Sequence, residues 1–274
     1  MQGIKIAADQ IVPMRSIAPG IEGLRLIFVN VFGITYSDGL WTLIDAGLPY
    51  SAGAIHKWAD KHFGTPPNAI VLTHGHFDHA SAAGQLADAW GVNVFAHSLE
   101  RPYLTGQREY PSPNWTAGGG LMSLLSPLLP QGPIDLGDRL RELPDSTEES
   151  VTIREMPGWE LIATPGHTPG HISLYRASDG LLLPGDAFCT TKPESFFEAA
   201  VAQKPELHGP PAYFTADWQL ARRSVQLLAS LRPSIVAPGH GQPVTGPDLP
   251  QRLQELASGF DQVAVPENRK GTTA

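Results

Sequence analysis

The stretch that decides the fold reads Ala69-Ile70-Val71-Leu72-Thr73-His74-Gly75-His76-Phe77-Asp78-His79. Its apolar, β-branched start fits a buried strand, and it passes without a linker into three histidines and an aspartate. In an extended chain His74 and His76 point to the same side, so one metal ion can take both imidazoles. Asp78 and His79 come after the turn, where a helix begins, and can face a second ion beside the first. That helix is read from His79 to Trp90, on a stripe of Ala83, Leu86, Ala87 and Trp90. Imidazole with carboxylate suits zinc, iron or manganese. A His-x-His-x-Asp-His match arises in about 7 of 10,000 chains of this histidine and aspartate content, so the motif is specific.

Three more candidate ligands stand where other strands end in loops bounded by Gly or Pro. Thr164-Pro165-Gly166-His167 supplies His167, Leu183-Pro184-Gly185-Asp186 supplies Asp186, and Ala237-Pro238-Gly239-His240 supplies His240. Loops at strand ends converge on one rim, which is where sites are built.

Short apolar runs read as strands at 25–32, 40–44, 69–73, 92–96, 160–164, 171–176, 180–183 and 234–237. Helical stripes run over 51–63 and 217–231, the latter with Asp217 as N-cap, and a last helix spans 249–260. This order gives an α/β chain of sheets covered outside by helices. A single domain over 1–274 is expected, carrying insertions near 101–158 and 192–215. The first holds eight prolines, Tyr103, Tyr110 and Trp115, which look exposed, and a short helix on Leu121, Leu124, Leu125 and Leu128. That helix reads equally as a plug over the core edge and as a substrate lid. The second insertion holds Phe196, Phe197, His208, Tyr213 and Phe214.

Composition narrows the classes. The 274 residues include 28 Gly and 26 Pro, with 42% apolar and 17% charged residues. Disorder needs low hydrophobicity joined to high charge, and collagen needs a three-residue glycine period, so both are excluded. A net charge of −8 argues against nucleic acid as partner. The one cysteine, Cys189, and a start without a secretory layout fit the cytoplasm. The longest apolar stretch is too short for a membrane span. A small-molecule substrate and a monomer or homodimer are expected.

The block 74–79, His167, Asp186 and His240, in that order, resembles the metallo-β-lactamase-fold hydrolases. The resemblance implies an αβ/βα four-layer sandwich of two mixed β-sheets flanked by helices. It assigns His74, His76 and His167 to one metal and Asp78, His79 and His240 to the other, with Asp186 bridging. Asp45, in Leu43-Ile44-Asp45-Ala46-Gly47, matches the family's early aspartate, which supports ligands from behind. Two divalent ions, zinc foremost with iron or manganese as alternatives, would turn a bridging water into hydroxide for attack on a carbonyl. Asp78 would also orient that nucleophile or take its proton.

The family hosts many substrates. The bridging Asp186 is the arrangement of glyoxalase II thioesterases and of lactonases, so a lactone, ester or thioester is expected. The tyrosine of the homoserine-lactone enzymes is absent, with Phe188 and Cys189 in its place. β-Lactam hydrolysis is the alternative, and a mononuclear-iron enzyme like the persulfide dioxygenases would leave ligands idle. Lys192 is the basic residue best placed to meet a substrate carboxylate or oxyanion. His56, His62 and His97 read as ordinary, His171 as structural, His208 as a weak substrate contact, and Cys189 as a buried apolar residue.

Overall fold

The computed structural model describes residues 11–14, 16–130, 132, 134–143 and 150–267. The readings of the first residues and of the tail beyond 267 lie outside the described residues, as do Pro133 and Pro144. The chain divides into two compact units, 1–110 with 131–157 and 111–130 with 158–274.

The first unit is built on a seven-stranded sheet in chain order. It runs from β1 (Ile11–Pro13) through β2 (Ile21–Leu26), β3 (Val29–Thr35), β4 (Trp41–Ile44), β5 (Ala69–Val71) and β6 (Val94–Ala96) to β7 (Leu140–Glu142). β1 to β4 form an antiparallel meander, and β4 to β7 are parallel. Parallel neighbours need crossovers. These are α1 (Ala52–His62), α2 (Phe77–Ala80) with α3 (Ala83–Trp90), and a connection holding α4 (Arg101–Leu104). α1 buries Ala52, Ile55, Trp58 and Ala59. Its end is fastened to β4 by Phe63, which stacks on Trp41 at 4.0 Å and meets Trp58 edge-on at 5.4 Å.

Two elements differ from the sequence reading. The run 25–32 is not one strand but the tip of the β2–β3 hairpin, in which Leu26 pairs with Val29. Its turn places Ile27 at φ 61°. A β-branched residue is rare there, and without Gly or Asn the turn has no signature. The helix read over 79–90 is broken in two. The His79 carbonyl accepts from Ala46 N–H at 2.6 Å, so it is engaged outside the helix where a continuous helix would use it for Ala83.

The second sheet is six-stranded and mixed. Its order is β13 (Val244–Thr245), β12 (Ile235–Val236), β11 (Leu181–Leu183), β10 (Ile172–Arg176), β9 (Glu160–Ala163) and β8 (Ser150–Val151). β11 and β12 are parallel, while β9–β10, β10–β11 and β12–β13 are antiparallel. Helices α6 (Trp218–Ser230), α7 (Leu249–Ser258) and α8 (Phe260–Val263) pack on it through Val225, Leu228, Leu253, Leu256 and Phe260 against Leu182, Phe188 and Val236. The α/β class, with two mixed sheets flanked by helices, is therefore as expected. The last helical stretch is two helices separated at Gly259.

The stretch 101–158 is not a plain insertion, since α4 and β7 lie within it. Its middle part, 111–130, joins the second unit and binds the 192–215 loop. There Asn114 N–H donates to Tyr213 O at 2.8 Å, and Met122 N–H to Glu194 O at 3.1 Å. Helix α5 (Leu121–Leu125) forms, yet Leu121, Leu124, Leu125 and Leu128 are exposed, and Met122 and Ser123 are the residues buried. The leucines therefore do not plug the core edge. Trp115 is exposed as read, whereas Tyr110 is buried. No helix among the described residues is long and apolar enough to cross a membrane.

Asp217 caps α6 as expected, its Oδ1 accepting from Gln219 and Leu220 N–H at 2.9 Å each. Asp217→Ala is expected to lower stability by about 1 kcal/mol, read as a lower urea midpoint at unchanged slope. An unmoved midpoint would show that packing alone holds the first turn of α6.

Candidate metal centre

In the first unit the ligand block leaves the C-terminal end of β5, beside the C-terminal end of β4, the usual place for a site in a parallel sheet. β4 and β5 are paired with Ile44 opposite Val71, so Asp45 and Thr73 leave the sheet as neighbours. Asp45 is buried and takes a left-handed φ of 59°, which aspartate tolerates. Its Oδ1 accepts from Thr73 N–H at 2.8 Å, and its Oδ2 lies 2.9 Å from Thr73 Oγ1 and 2.8 Å from His79 Nδ1.

These contacts fix the imidazole protons. An ionised carboxylate only accepts, so His79 carries its proton on Nδ1 and keeps the Nε2 lone pair. Thr73 likewise gives its hydroxyl proton to Asp45, and its oxygen then accepts from His74 Nδ1 at 3.0 Å. His74 thus also keeps a lone pair on Nε2. That atom lies 3.1 Å from His76 Nδ1, the side-by-side placement expected of His-x-His. Asp78, on the single turn α2, puts Oδ2 3.9 Å from His79 Nε2. His74, His76, Asp78 and His79 are all buried.

The second unit repeats the construction. Asp186 and His240 follow the ends of the parallel pair β11 and β12, and Gly239 N–H donates to Gly185 O at 3.0 Å. Asp186 Oδ2 stands 3.0 Å from His240 Nε2 and 3.5 Å from His167 Nε2. Thr215 gives its hydroxyl proton to Pro211 O at 2.8 Å, so its oxygen receives His167 Nδ1–H at 3.3 Å. His167 too presents a lone pair on Nε2. Only glycine fits before it: Gly166 has φ 134°, and a Cβ there would lie 2.2 Å from Ala221 N.

His171 is structural, as read. Its Nε2 accepts Asp186 N–H at 2.9 Å, so its Nδ1–H donates to Thr164 Oγ1 at 2.8 Å. Thr164 passes on to Ser173 at 2.9 Å, and Ser173 to Pro184 O at 3.0 Å. The chain of donors runs one way and fixes the Asp186 backbone.

The other candidates fall outside the two clusters. His56 pairs with exposed Asp60 at 3.0 Å, and His62 lies 3.7 Å from Glu22. His97 caps the turn Ser98–Glu100 by accepting Leu99 N–H at 3.1 Å. Cys189 is buried and pairs by backbone with half-buried His208. Lys192 is exposed. Sequence reasoning missed Thr73, Thr215, Glu100 and Tyr110. Thr73 alone carried a signal, its place directly before His74.

Buried Glu100 accepts the Gly75 N–H at 2.9 Å through Oε2 and also binds the Tyr110 hydroxyl. Burial, then the Glu100 charge and its hydrogen bond, push the Tyr110 phenol well above its usual range, so it stays a proton donor.

Asp45→Asn should set its amide NH₂ against His79, because Oδ1 remains on Thr73 N–H. His79 is then expected to move its proton to Nε2, visible in two-bond ¹H–¹⁵N spectra of the metal-free chain. An unchanged imidazole pattern would show that another group sets this tautomer.

The model of the metallo-beta-lactamase superfamily matches residues 24–240. The probable metallo-hydrolase YflN of Bacillus subtilis (strain 168) is 42% identical over 250 residues, covering 90% of this chain and 93% of the relative. The hydroxyacylglutathione hydrolase of Ectopseudomonas mendocina (strain ymp) is 25% identical over 78% of this chain and 67% of its own. The solved structure of TTHA1623 in a di-iron-bound form is similar with a TM-score of 0.53 and 25% identity, covering 85% of this chain and 94% of that one. The early aspartate, the histidine block and the later His, Asp and His all fall within the matched span, and the chain belongs to the metallo-β-lactamase superfamily.

Proposed function

We propose that the chain is a dinuclear metal-dependent hydrolase of a lactone, ester or thioester, its two units acting as one catalytic domain over residues 1–274. His74, His76 and His167 would hold one divalent ion and Asp78, His79 and His240 the other, with Asp186 shared. The reading rests on the ring orientation: His74, His79 and His167 each turn Nδ1 to an oxygen partner, which aims Nε2 the opposite way. Neutral imidazole fixed in this way, with carboxylates beside it, is the donor set of a divalent ion. All seven residues belong to His/Asp groups of metal-holding composition.

Two such ions supply an activated water at neutral pH and polarise a carbonyl. The chain's own residues do the rest. Asp78 orients the attacking water and takes its proton. Asp45 and His171 hold the ligands rigid, so no reorganisation accompanies the reaction.

The Ectopseudomonas mendocina relative is by name a hydrolase of an acyl compound, hydroxyacylglutathione, which supports a carbonyl substrate here. The 192–215 loop favours an apolar acyl or ring portion. It is rooted beside the ligands, with Thr190 N–H donating to His240 O at 3.1 Å and Thr215 meeting His167. It carries exposed Phe196, Phe197 and Val201. The substrate is inferred to be a small cytoplasmic molecule, and zinc to be the metal, with iron or manganese accepted by the same donors.

Metal analysis is expected to find close to two ions per chain. A panel of lactones, aryl esters, thioesters and a chromogenic cephalosporin, assayed with Zn, Mn and Fe, should show turnover of an ester, lactone or thioester. Asp78→Ala should abolish that turnover while the circular dichroism spectrum is kept. One tightly held iron per chain, or full activity in Asp78→Ala, would overturn the proposal.

A further inference from the structure

Glycine between His74 and His76 is required by space. A Cβ on Gly75 would lie 2.5 Å from Tyr110 Oη, 3.1 Å from Leu104 Cδ2 and 3.3 Å from Glu100 Oε2. Three side chains thus close on this one peptide, although their residues lie 25 to 35 positions further along the chain. The Gly75 N–H points at both oxygens, 2.9 Å from Glu100 Oε2 and 3.1 Å from Tyr110 Oη, and the two oxygens bind each other.

The same tyrosine reaches the second ligand. Its ring meets His76 edge-to-face with centroids 4.5 Å apart, while Tyr103 stacks on it at 3.9 Å. Glu100 is fully buried, held on a turn that His97 caps and by its own N–H donating to His97 O at 2.9 Å. Burying a carboxylate is unfavourable unless its hydrogen bonds are fixed. Here they are fixed on the peptide that joins two candidate metal ligands. Asp45 and Thr73 hold the other end of the loop, through Nδ1 of His74.

We propose that Glu100 and Tyr110 are positioning residues for the ligand loop His74-Gly75-His76: Glu100 sets the plane of the peptide between the imidazoles, and the Tyr110 hydroxyl, bonded to Glu100 and meeting the same N–H, holds it there. The inference rests on the hydrolase reading only in taking that loop to bind metal. Groups that orient metal ligands contribute about 10- to 100-fold in metal affinity or activity.

The test uses the full chain as Glu100→Ala, Glu100→Gln and Tyr110→Phe. In the metal-free protein, amide exchange at Gly75 should quicken at least about tenfold in Glu100→Ala and much less in Glu100→Gln, which keeps an acceptor. Zinc affinity, measured by competition with a chromogenic chelator, should fall about 10- to 100-fold in Glu100→Ala and Tyr110→Phe, with partial recovery in Glu100→Gln. Turnover should drop in kcat while KM stays within about twofold, since no substrate contact is removed. Folded variants that melt earlier yet match the wild type in Gly75 exchange, zinc affinity and kcat would overturn the inference, because both residues would then only stabilise the unit. Where Glu100→Ala does not fold, Glu100→Gln and Tyr110→Phe decide it. A wild type that binds zinc but cleaves nothing on the panel would overturn the hydrolase reading alone, with exchange and affinity still judging this one.

Discussion

A single buried carboxylate ties the first unit together. Asp45 leaves β4 in a left-handed turn, and its own N–H bonds to Val71 O at 2.9 Å on β5. Its two oxygens then take the backbone and hydroxyl of Thr73 and the ring of His79, so strand end, ligand loop and α2 meet on one side chain. The charge is buried and would be unfavourable alone, but each donor it meets is a polar group that folding also had to satisfy. Its position dictates two protonation states at once, His79 directly and His74 through Thr73. The break between α2 and α3 follows from the same junction, since Ala46 N–H captures the His79 carbonyl.

The second unit reaches the same result with different parts. Asp186 and His240 stand at the ends of the parallel pair β11–β12, as Asp45 and Thr73 follow the pair β4–β5. In both units a hydroxyl relays the constraint: Thr73 in one, and Thr215 and the Thr164–Ser173 chain in the other. A hydroxyl suits this task because it donates once and accepts as well. When its proton has a committed acceptor, the neighbouring imidazole has only one tautomer left. Rigidity at the ligands is thus supplied by ordinary hydrogen bonds whose direction is forced from one end.

The His and Asp residues that come together in groups of metal-holding composition were legible in the sequence because metal chemistry needs particular side chains, and Gly or Pro marks the strand ends that carry them. Most strands and helices were legible for the usual reason, an apolar period matching a buried face. What escaped had no local signal. The β2–β3 hairpin turns on Ile27 and Phe28, residues that read as strand interior. β1, β7, β8 and β13 are two or three residues long, too short for alternation to register. Tyr110 sits among prolines and polar residues and looked exposed. Its burial comes from Tyr103, Glu100 and the space above Gly75, none of which a sequence window covers. The leucines of α5 misled in the opposite sense: a perfect stripe faces outward, because the helix is held through Met122 and its N–H to Glu194 O rather than through the stripe.

That outward stripe bears on how the chain divides its tasks. Residues 111–130 contain no ionisable side chain, yet they bind the 192–215 loop, which in turn is rooted at His167 and His240. The outer side of 111–130 is therefore uncharged, in a chain whose net charge is −8, while the 192–215 loop adds exposed Phe196 and Phe197 beside exposed Lys192, Lys204 and Glu206. A charged group gains nothing from the exposed leucines and loses hydration on reaching them, whereas an apolar group gains about 25 cal/mol for each Å² it buries. The His/Asp clusters and this apolar surface thus reside in different segments. The cluster loops are locked by buried carboxylates and directed hydroxyls, while the apolar surface is set by side chains that point to solvent.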